Sequence, residues 1–314
     1  MKKGIVIKST GSWYTVKTTE GNQIECRIKG NLRLKGIRST NPIAVGDHVE
    51  LIEVKEDNIE GGQCVGLISN IIPRTNYIIR KSPNLSKESH IIAANIDQAF
   101  LVVTIKYPIT TTTFIDRFLV SAEAYRIPCH ILFNKIDLYN DEQTKLINSL
   151  VNIYENIGYQ CLTVSTKKQT GIDELKSKMQ NKTNVFAGHS GVGKSTIINI
   201  LQPNLTLKTG IISEAHLSGK HTTTNSEMYE LDFGGYIIDT PGIKGFGVLD
   251  MEKEEISHYF PEIFKKLDEC QFYNCTHTHE PNCAVKNAVE KGEIALSRYE
   301  TYLGLLDGEE KYRN

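Results

Sequence analysis

The chain has 314 residues, of which 39% are hydrophobic and 23% charged, and its formal net charge is −1. A chain of this length holds two or three domains, and its composition excludes both an intrinsically disordered protein and a polycation that coats nucleic acid. Lys8 ends the first apolar run, which is too short for a signal peptide, and no segment is long enough to span a membrane. We therefore expect a cytoplasmic protein without a membrane partner.

Residues 1–72 predict a small β-barrel. Runs rich in strand-forming residues, separated by Gly and Asn-Gly-type breaks, lie at residues 4–8, 13–18, 23–28, 47–54 and 65–72. Short strands in such a small region are typical of a Greek-key barrel of the oligonucleotide-binding (OB) type, although an SH3-like barrel gives nearly the same pattern. Five basic residues crowd one part of this region: Arg27, Lys29, Arg33, Lys35 and Arg38. Such a run can contact phosphate backbones, but charge alone favours a solvated face.

Beyond a polar connector predicted at residues 74–96, strands and helices alternate. Strands are predicted at 99–105, 129–133, 159–164, 184–187, 228–233 and 236–238, and helices at 114–125, 141–157, 172–179 and from 194. This alternation predicts an α/β domain with a doubly wound sheet over residues 73–250. Residues 251–314 predict a smaller, mostly helical domain.

A phosphate-binding loop is predicted between the strand at 184–187 and the helix from 194. The pattern G-x-x-x-x-G-K-[ST] is matched in full by Gly188, His189, Ser190, Gly191, Val192, Gly193, Lys194 and Ser195, and Thr196 follows. The glycines allow successive backbone N–H groups to surround phosphate oxygens, and the helix presents its positive N-terminal end. We expect Lys194 to bind the β- and γ-phosphates and Ser195 to bind Mg²⁺, whereas His189 is expected to be structural.

A second segment predicts which base is bound. Directly after the strand at 129–133 come Asn134, Lys135, Ile136 and Asp137. The Asp137 carboxylate can accept hydrogen bonds from guanine N1–H and the 2-amino group, which adenine does not offer. Asn134 is expected to brace the loop, and the Lys135 stem to cover the base. Ser165, at the end of the next strand, is expected to make a further contact to the guanine O6 edge through its backbone. The predicted nucleotide is GTP.

Two switch segments follow the phosphate loop. Asp239 and Gly242 belong to an Asp-Thr-Pro-Gly segment after the strand at 236–238. We expect Asp239 to hold Mg²⁺ through water and the Gly242 N–H to sense the γ-phosphate. Either Thr222 or Thr223 is expected to complete the Mg²⁺ shell, and spacing leaves both open.

Ile243 stands where many GTPases place a Gln that orients the attacking water. Its side chain cannot form hydrogen bonds, so we predict slow intrinsic hydrolysis unless another group substitutes. His221 is the best candidate because an imidazole can exchange a proton near neutral pH. The alternative for His221 is an ordinary surface-loop histidine.

Three of the seven cysteines crowd together near the end of the chain. Cys270, Cys275, His277 and Cys283 supply three thiolates and one imidazole, a complete tetrahedral set for a structural zinc ion. On spacing alone His279 rivals His277, and three buried thiols beside a loop histidine are the alternative without a metal. The other cysteines are far apart, which favours a reducing compartment over a disulfide scaffold.

The guanine-reading segment precedes the phosphate loop and the switches, which is a rotation of the order in ordinary GTPases. With its motifs at 134–137, 188–196, 219–224 and 239–242 and its cysteine cluster, the chain resembles the circularly permuted ribosome small-subunit-dependent GTPase A family of bacteria over essentially its whole length. The resemblance implies an N-terminal barrel, a central permuted P-loop GTPase domain and a C-terminal zinc-binding module. It also implies that His277 is the fourth zinc ligand and that His221 is catalytic.

The same resemblance implies a factor that binds the 30S ribosomal subunit and its 16S rRNA, hydrolyses GTP under stimulation by the subunit, and assists late subunit maturation. The barrel's basic run then has an RNA partner, and we expect a monomer that does not bind DNA. The alternative is an RNA-binding module that senses GTP or guanosine tetraphosphate with incidental hydrolysis, which Ile243 keeps open. A P-loop kinase would leave Asp137 and Asp239 unexplained.

Overall fold

The computed structural model describes residues 1–29, 42–55, 64–81, 89–203, 205, 226–239 and 251–308. Within these ranges an eleven-stranded sheet runs through an N-terminal barrel and an α/β unit. A helical C-terminal region packs against one helix of the α/β unit. No helix among the described residues combines the length and the apolarity that a membrane crossing requires.

The barrel consists of five strands: β1 (Lys2–Ser9), β2 (Tyr14–Thr18), β3 (Gln23–Ile28), β4 (His48–Lys55) and β5 (Cys64–Ile71). They are hydrogen-bonded in the order β1-β2-β3-β5-β4, and β1 also pairs with β4, which closes the barrel. The β3–β5 pair is parallel and the other pairs are antiparallel. This order is that of an OB barrel, so the OB prediction is confirmed over the SH3-like alternative. Alternate side chains fill its interior, among them Val6, Tyr14, Val16, Val49 and Leu51.

The predicted polar connector at residues 74–96 is wrong over most of its length. It contains a hairpin of β6 (Tyr77–Lys81) and β7 (Ser89–Ala94), which pair antiparallel. Ile78 and Ile91 are buried against the α/β core, and this burial stabilises the hairpin in the tertiary structure. The turn-forming residues between the two strands obscured the apolar residues on either side of them.

The α/β unit alternates strands and helices as predicted. Its elements are β8 (Gln98–Val103), α1 (Thr112–Ala124), β9 (Cys129–Phe133), α2 (Asp141–Ile157), β10 (Gln160–Thr163), α3 (Ile172–Met179), β11 (Thr183–Ala187), α4 (Lys194–Leu201), β12 (Glu227–Glu230) and β13 (Tyr236–Asp239). The strand order is β10-β9-β8-β11-β13-β12, and only β12, the last strand of this series, runs antiparallel. All six residues of β8 are buried, as befits a central strand covered by helices on both faces. On its other side β12 meets β1 of the barrel, at Lys8 and Glu227.

The C-terminal region is built from short helices. Its elements are a 3₁₀ segment (Lys253–Tyr259), α5 (Pro261–Phe264), a 3₁₀ turn (Leu267–Glu269), α6 (Ala284–Glu290) and α7 (Leu296–Leu306). It has its own apolar core, which includes Phe260, Ile263 and Tyr302. Val120 of α1 joins this core, so the region is attached to the α/β unit by apolar packing.

A buried ionic cluster reinforces this junction. The Arg298 guanidinium of α7 is fully buried and donates from Nε to Glu262 Oε1 at 2.6 Å and from Nη1 to Asp116 Oδ1 of α1 at 3.2 Å. Asp116 also accepts hydrogen bonds from Tyr154 and Thr301, both at 2.9 Å. The cluster therefore joins two helices of the α/β unit to two segments of the C-terminal region.

Candidate functional site

The carboxyl ends of β8, β9 and β11 bring the two predicted nucleotide-binding segments together. Asn134, which follows β9, is fully buried and donates from Nδ2 to the Val192 carbonyl at 2.8 Å. Val192 is itself buried in the core below the loop. The guanine-reading segment thus contacts the phosphate loop directly, at the edge of the sheet where α/β proteins bind ligands.

Two glycines of the phosphate loop are required by the backbone. Gly188 has φ +135°, and a Cβ there would lie 2.3 Å from the Val102 carbonyl oxygen. Gly193 has φ +100°, and a Cβ there would lie 2.4 Å from Asn134 Nδ2. Side chains rarely adopt either conformation, so the sequence keeps glycine where the chain curls into a cradle. Side chains at these two positions would clash with β8 and with Asn134, so glycine allows the tight backbone curve that a loop around a phosphate group requires.

The loop continues into the first turn of α4. Lys194, at the start of α4, donates from Nζ to the carbonyl oxygens of Gly188 and His189, both at 2.7 Å. The Lys194 ammonium therefore faces the loop backbone. Phosphate oxygens are stronger hydrogen-bond acceptors than carbonyl oxygens, so a phosphate bound there would replace the two carbonyls. Ser190, Gly191 and Thr196 are exposed, and Ser195 lies in the first turn of α4.

Lys135 ties two loops together. It has a left-handed backbone with φ +64°, and its Nζ donates to the carbonyls of Gly191 at 2.6 Å and Tyr107 at 2.5 Å. Burial lowers the pKa of Lys135. Its ammonium is consequently directed towards the predicted phosphate loop and the segment after β8.

Asp137 is held as an ionised acceptor. Ile136 and Asp137 open a 3₁₀ turn (Ile136–Leu138), and Asp137 Oδ1 accepts a 2.6 Å hydrogen bond from the buried Ser165 hydroxyl. This hydrogen bond lowers the pKa of Asp137. Ser165 Oγ in turn accepts from the Lys168 N–H at 3.0 Å. The carboxylate therefore stays charged at neutral pH, as recognition of two guanine N–H groups requires.

The cysteine–histidine cluster lies in the C-terminal region. The ligand atoms of Cys270, Cys275, His277 and Cys283 all lie within 4.8 Å of one another. His277 Nδ1 lies 3.7 Å from Cys270 Sγ and 3.4 Å from Cys283 Sγ. Burial lowers the pKa of His277, which favours the neutral imidazole that binds metals. His279 is exposed and hydrogen-bonds Thr278, so His277, and not His279, lies with the three cysteines.

Two tyrosines of α7 hold the loop that carries His277. Tyr299 donates to the His277 carbonyl at 2.6 Å and Tyr302 donates to the Thr276 carbonyl at 2.9 Å. His277 has φ +60°, a strained conformation for a residue with a side chain. The three thiols and the imidazole are a donor set that fits zinc.

Comparison with known proteins gives the family. Family models described as RsgA GTPase and RsgA N-terminal domain match residues 71–249 and 3–61. The chain is 59% identical to small ribosomal subunit biogenesis GTPase RsgA 2 of Bacteroides thetaiotaomicron, with 99% of each chain covered. It is 58% identical to the RsgA of Flavobacterium psychrophilum, over 99% of this chain and 94% of that one. The chain belongs to the RsgA GTPase family. Its enzymatic activity is therefore GTP hydrolysis.

Solved structures agree with this RsgA-family assignment. YjeQ from Thermotoga maritima superimposes with a TM-score of 0.79 and 38% identity, covering 99% of both chains. YloQ, described as a circularly permuted GTPase, gives a TM-score of 0.75 and 32% identity over 99% of this chain and 96% of that one. The predicted fold class, a barrel followed by a permuted GTPase domain and a cysteine–histidine module, is confirmed.

Of the predicted switch residues, only Asp239 lies within the described residues. It ends β13 and pairs in register with Glu227 of β12. Burial and, second, the negative charge of Glu227 raise the pKa of Asp239. Such a carboxylate gains from a nearby cation, which is consistent with its predicted role. The other predicted switch residues, namely His221, Thr222, Thr223 and Gly242, lie outside the described residues.

Several side-chain contacts at this RsgA-family site were not predicted. The Tyr139 hydroxyl donates to the Asn134 carbonyl at 3.0 Å and accepts from the Ile105 N–H at 3.3 Å. The His189 ring packs on Phe114 of α1 with a centroid distance of 3.7 Å. Ser165 contacts Asp137 through its side chain, in addition to any backbone contact it makes to the base. Tyr139 follows Asp137 closely in sequence, a weak signal, whereas nothing in the sequence connects Phe114 to the phosphate loop.

Proposed function

We propose that this chain hydrolyses GTP on the small (30S) ribosomal subunit, is stimulated by that subunit, and assists its late maturation. The 2.8 Å hydrogen bond from Asn134 to Val192 is the main support for GTP binding, because it holds the predicted guanine-reading segment against the predicted phosphate loop. The subunit part is supported by relatives named small ribosomal subunit biogenesis GTPases, which are 54–59% identical to this chain.

The proposed site has one group for each part of the nucleotide. Asp137 accepts from guanine N1–H and the 2-amino group, while Lys194 exchanges the loop carbonyls for β- and γ-phosphate oxygens. Ser195, and Asp239 through a water molecule, would hold Mg²⁺. When bound, this ion neutralises charge that develops between the β- and γ-phosphates.

The proposed hydrolytic step depends on switch residues outside the described ranges. His221 orients or deprotonates the attacking water, and the Gly242 N–H contacts the γ-phosphate. Thr222 or Thr223 completes the Mg²⁺ shell. Ile243 cannot orient water, so the step is slow until the subunit positions His221.

The barrel is the proposed contact for 16S rRNA. The Arg27 guanidinium lies 3.8 Å from the centre of the Trp13 ring, and Arg27 itself is exposed. Stacking on the indole holds the guanidinium plane in place, and an exposed arginine on the barrel can contact a phosphate backbone. The proposed domains are the barrel at 1–72, the GTPase domain at 73–250 and the zinc module at 251–314. We further propose a cytoplasmic monomer with one structural zinc ion on Cys270, Cys275, His277 and Cys283.

Base recognition is tested with the substitution Asp137→Asn. The amide offers one acceptor and one donor, so its N–H₂ opposes a guanine N–H group. Xanthine carries a carbonyl in place of the 2-amino group and is the matched base. Calorimetric titration should therefore show GTP affinity falling by roughly 10² or more while affinity for xanthosine triphosphate rises. Unchanged preference for GTP over ATP and xanthosine triphosphate would contradict the proposed site.

The subunit part is tested by steady-state GTP turnover with and without purified 30S particles. We expect strong stimulation of the natural chain. In the variant His221→Ala, stimulation should be lost while GTP binding, followed by titration, is retained. Absence of stimulation in the natural chain, with binding to 30S particles retained, would instead favour the second candidate. That candidate is a module that senses GTP or guanosine tetraphosphate, and Ile243 is the feature that favours it.

A further inference from the structure

The loop between the first two residues of the cysteine–histidine cluster exposes two aromatic side chains. Residues 271–274, here called the aromatic loop, separate Cys270 from Cys275. Within it, Phe272 is 41% exposed and Tyr273 is 101% exposed. Aromatic rings supply a large apolar contact area, so two neighbouring exposed rings are a plain signal of an interaction surface.

The aromatic loop is held in one shape by its own contacts. The Cys275 N–H donates to the Phe272 carbonyl at 3.2 Å, closing a tight turn. Asn282 Nδ2 donates to Gln271 Oε1 at 2.9 Å, which ties the loop to the segment before Cys283. Because these contacts already order the loop, binding of a partner to Tyr273 costs little conformational entropy of the loop.

The charge around the aromatic loop is negative. Residues 267–285 contain no Lys or Arg but include Asp268, Glu269 and Glu280. Over residues 251–308 there are eleven Asp and Glu against six Lys and Arg. Lys266, the nearest preceding cation, lies 3.2 Å from Glu269 and 3.5 Å from Glu293. Three thiolates around a divalent cation leave a net negative centre, so a bound zinc ion does not make the loop basic.

This charge pattern disfavours an RNA partner. Proteins gain most of their affinity for nucleic acid by neutralising phosphates with Lys and Arg, and this stretch has neither. Cationic side chains, in contrast, are attracted both to exposed carboxylates and to the faces of aromatic rings.

We propose that Phe272 and Tyr273 dock a protein segment rich in Lys and Arg, with the exposed carboxylate of Asp268 providing complementary charge. The inference rests on the proposed function, since it assigns this partner to the proteins of the small subunit and leaves the RNA to the barrel. Tyr273 is the central contact because tyrosine combines a rigid apolar ring with a hydrogen-bonding hydroxyl.

Photo-crosslinking identifies the partner's class. The variant Tyr273→p-benzoyl-phenylalanine is loaded with a non-hydrolysable GTP analogue, mixed with purified 30S particles and irradiated. We expect adducts that survive ribonuclease and are destroyed by protease, with the crosslinked peptide rich in Lys and Arg. Adducts to 16S rRNA would overturn the inference and establish the RNA alternative.

Affinity measurements test how much Phe272 and Tyr273 contribute to binding of the 30S particle. We expect Tyr273→Ala to weaken binding to 30S particles roughly tenfold or more, and Phe272→Ala to weaken it less. Leu296→Ala is the matched control, since Leu296 is 60% exposed in the same region and should leave affinity unchanged. Zinc content and subunit-free GTP turnover must remain at natural levels in all three variants. If the natural chain binds the subunit and Tyr273→Ala binds equally well, this inference fails alone; if the natural chain does not bind, the proposed function fails.

Discussion

The buried cluster around Arg298 allows a stability prediction with a magnitude. In the substitution Arg298→Met, the apolar stem is retained but the positive charge is lost. Asp116 is then left fully buried and Glu262 nearly so, both without a counter-charge. Removing one partner from a buried ion pair costs about 3–5 kcal/mol, mostly because the remaining charge is uncompensated. Since about 1.4 kcal/mol corresponds to a factor of ten, local opening of the junction should increase roughly 10²- to 10³-fold or more.

The pH dependence of this loss follows from the same geometry. Burial raises the pKa of Asp116, and the nearby Arg298 opposes that rise. Without Arg298 the pKa of Asp116 rises further, so the folded variant binds a proton that the unfolded chain releases. A group with a raised pKa contributes stability that is present at low pH and is lost as the pH rises through the folded-state value. The destabilisation should therefore be smaller in acid than at neutral pH.

Hydrogen exchange resolved by mass spectrometry is the suitable assay. The single tryptophan, Trp13, lies in the barrel, so its fluorescence does not report on the C-terminal region. Peptides from α1 and α7 report on the junction directly. Lys266→Met is the control, since its ion pairs are partly exposed and contribute about 0–1 kcal/mol at most. If neutralising the carboxylates as well, through Asp116→Asn and Glu262→Gln, fails to slow exchange relative to Arg298→Met, uncompensated charge is not the cause.

Three further predictions concern the α/β unit. Gly193→Ala should weaken GDP binding by about 1–3 kcal/mol in calorimetric titration, because its φ is +100° and Asn134 Nδ2 blocks the added methyl group. Gly158→Ala is the control: its φ of +121° imposes similar backbone strain, but it lies at the end of α2 with nothing within 4 Å of the added methyl group, so GDP binding should be normal. Tyr139→Phe should lower GTP affinity several-fold in fluorescence titration, because two loop backbone groups lose their shared partner at a cost of about 1–3 kcal/mol. Glu123→Gln should raise the melting temperature at neutral pH. Burial raises the pKa of Glu123, so the stability that its protonated form contributes is lost as the pH rises from the ordinary glutamate pKa through the raised one. The difference in melting temperature between the variant and the natural chain should therefore vanish in acid.

Much of the fold could be predicted because its signals are local. The five barrel strands, the continuous apolar run in β8 and the helix after Lys194 are all visible in short windows of sequence. The nucleotide segments were also predictable, since each follows a strand and parallel strands of one sheet present their carboxyl ends at one edge. The contact between Asn134 and Val192 is the structural consequence of that rule.

The rest depends on tertiary contacts that no short window contains. The β6–β7 hairpin is marginal alone and is stabilised by burial of Ile78 and Ile91 on a core formed elsewhere in the chain. Arg298 looks like an ordinary surface charge on a short helix until α1 supplies Asp116, which lies 182 positions earlier. Likewise, the hydrogen bond from Ser165 to Asp137 joins two different strand ends.

Helix α1 connects the predicted phosphate loop to the C-terminal region. Near its start, Phe114 packs on His189 of the predicted phosphate loop, and two residues later Asp116 binds Arg298 of the C-terminal region. Phe114 and Asp116 are only two residues apart, so a rigid helix cannot move one without moving the other. In the rotated chain order, α1 precedes the phosphate loop in sequence and the C-terminal region follows the switches. The C-terminal region is therefore attached to the α/β unit covalently, through the segment that follows β13, and by its apolar and ionic contacts with α1. The covalent attachment follows the predicted second switch, and α1 contacts the predicted phosphate loop through Phe114.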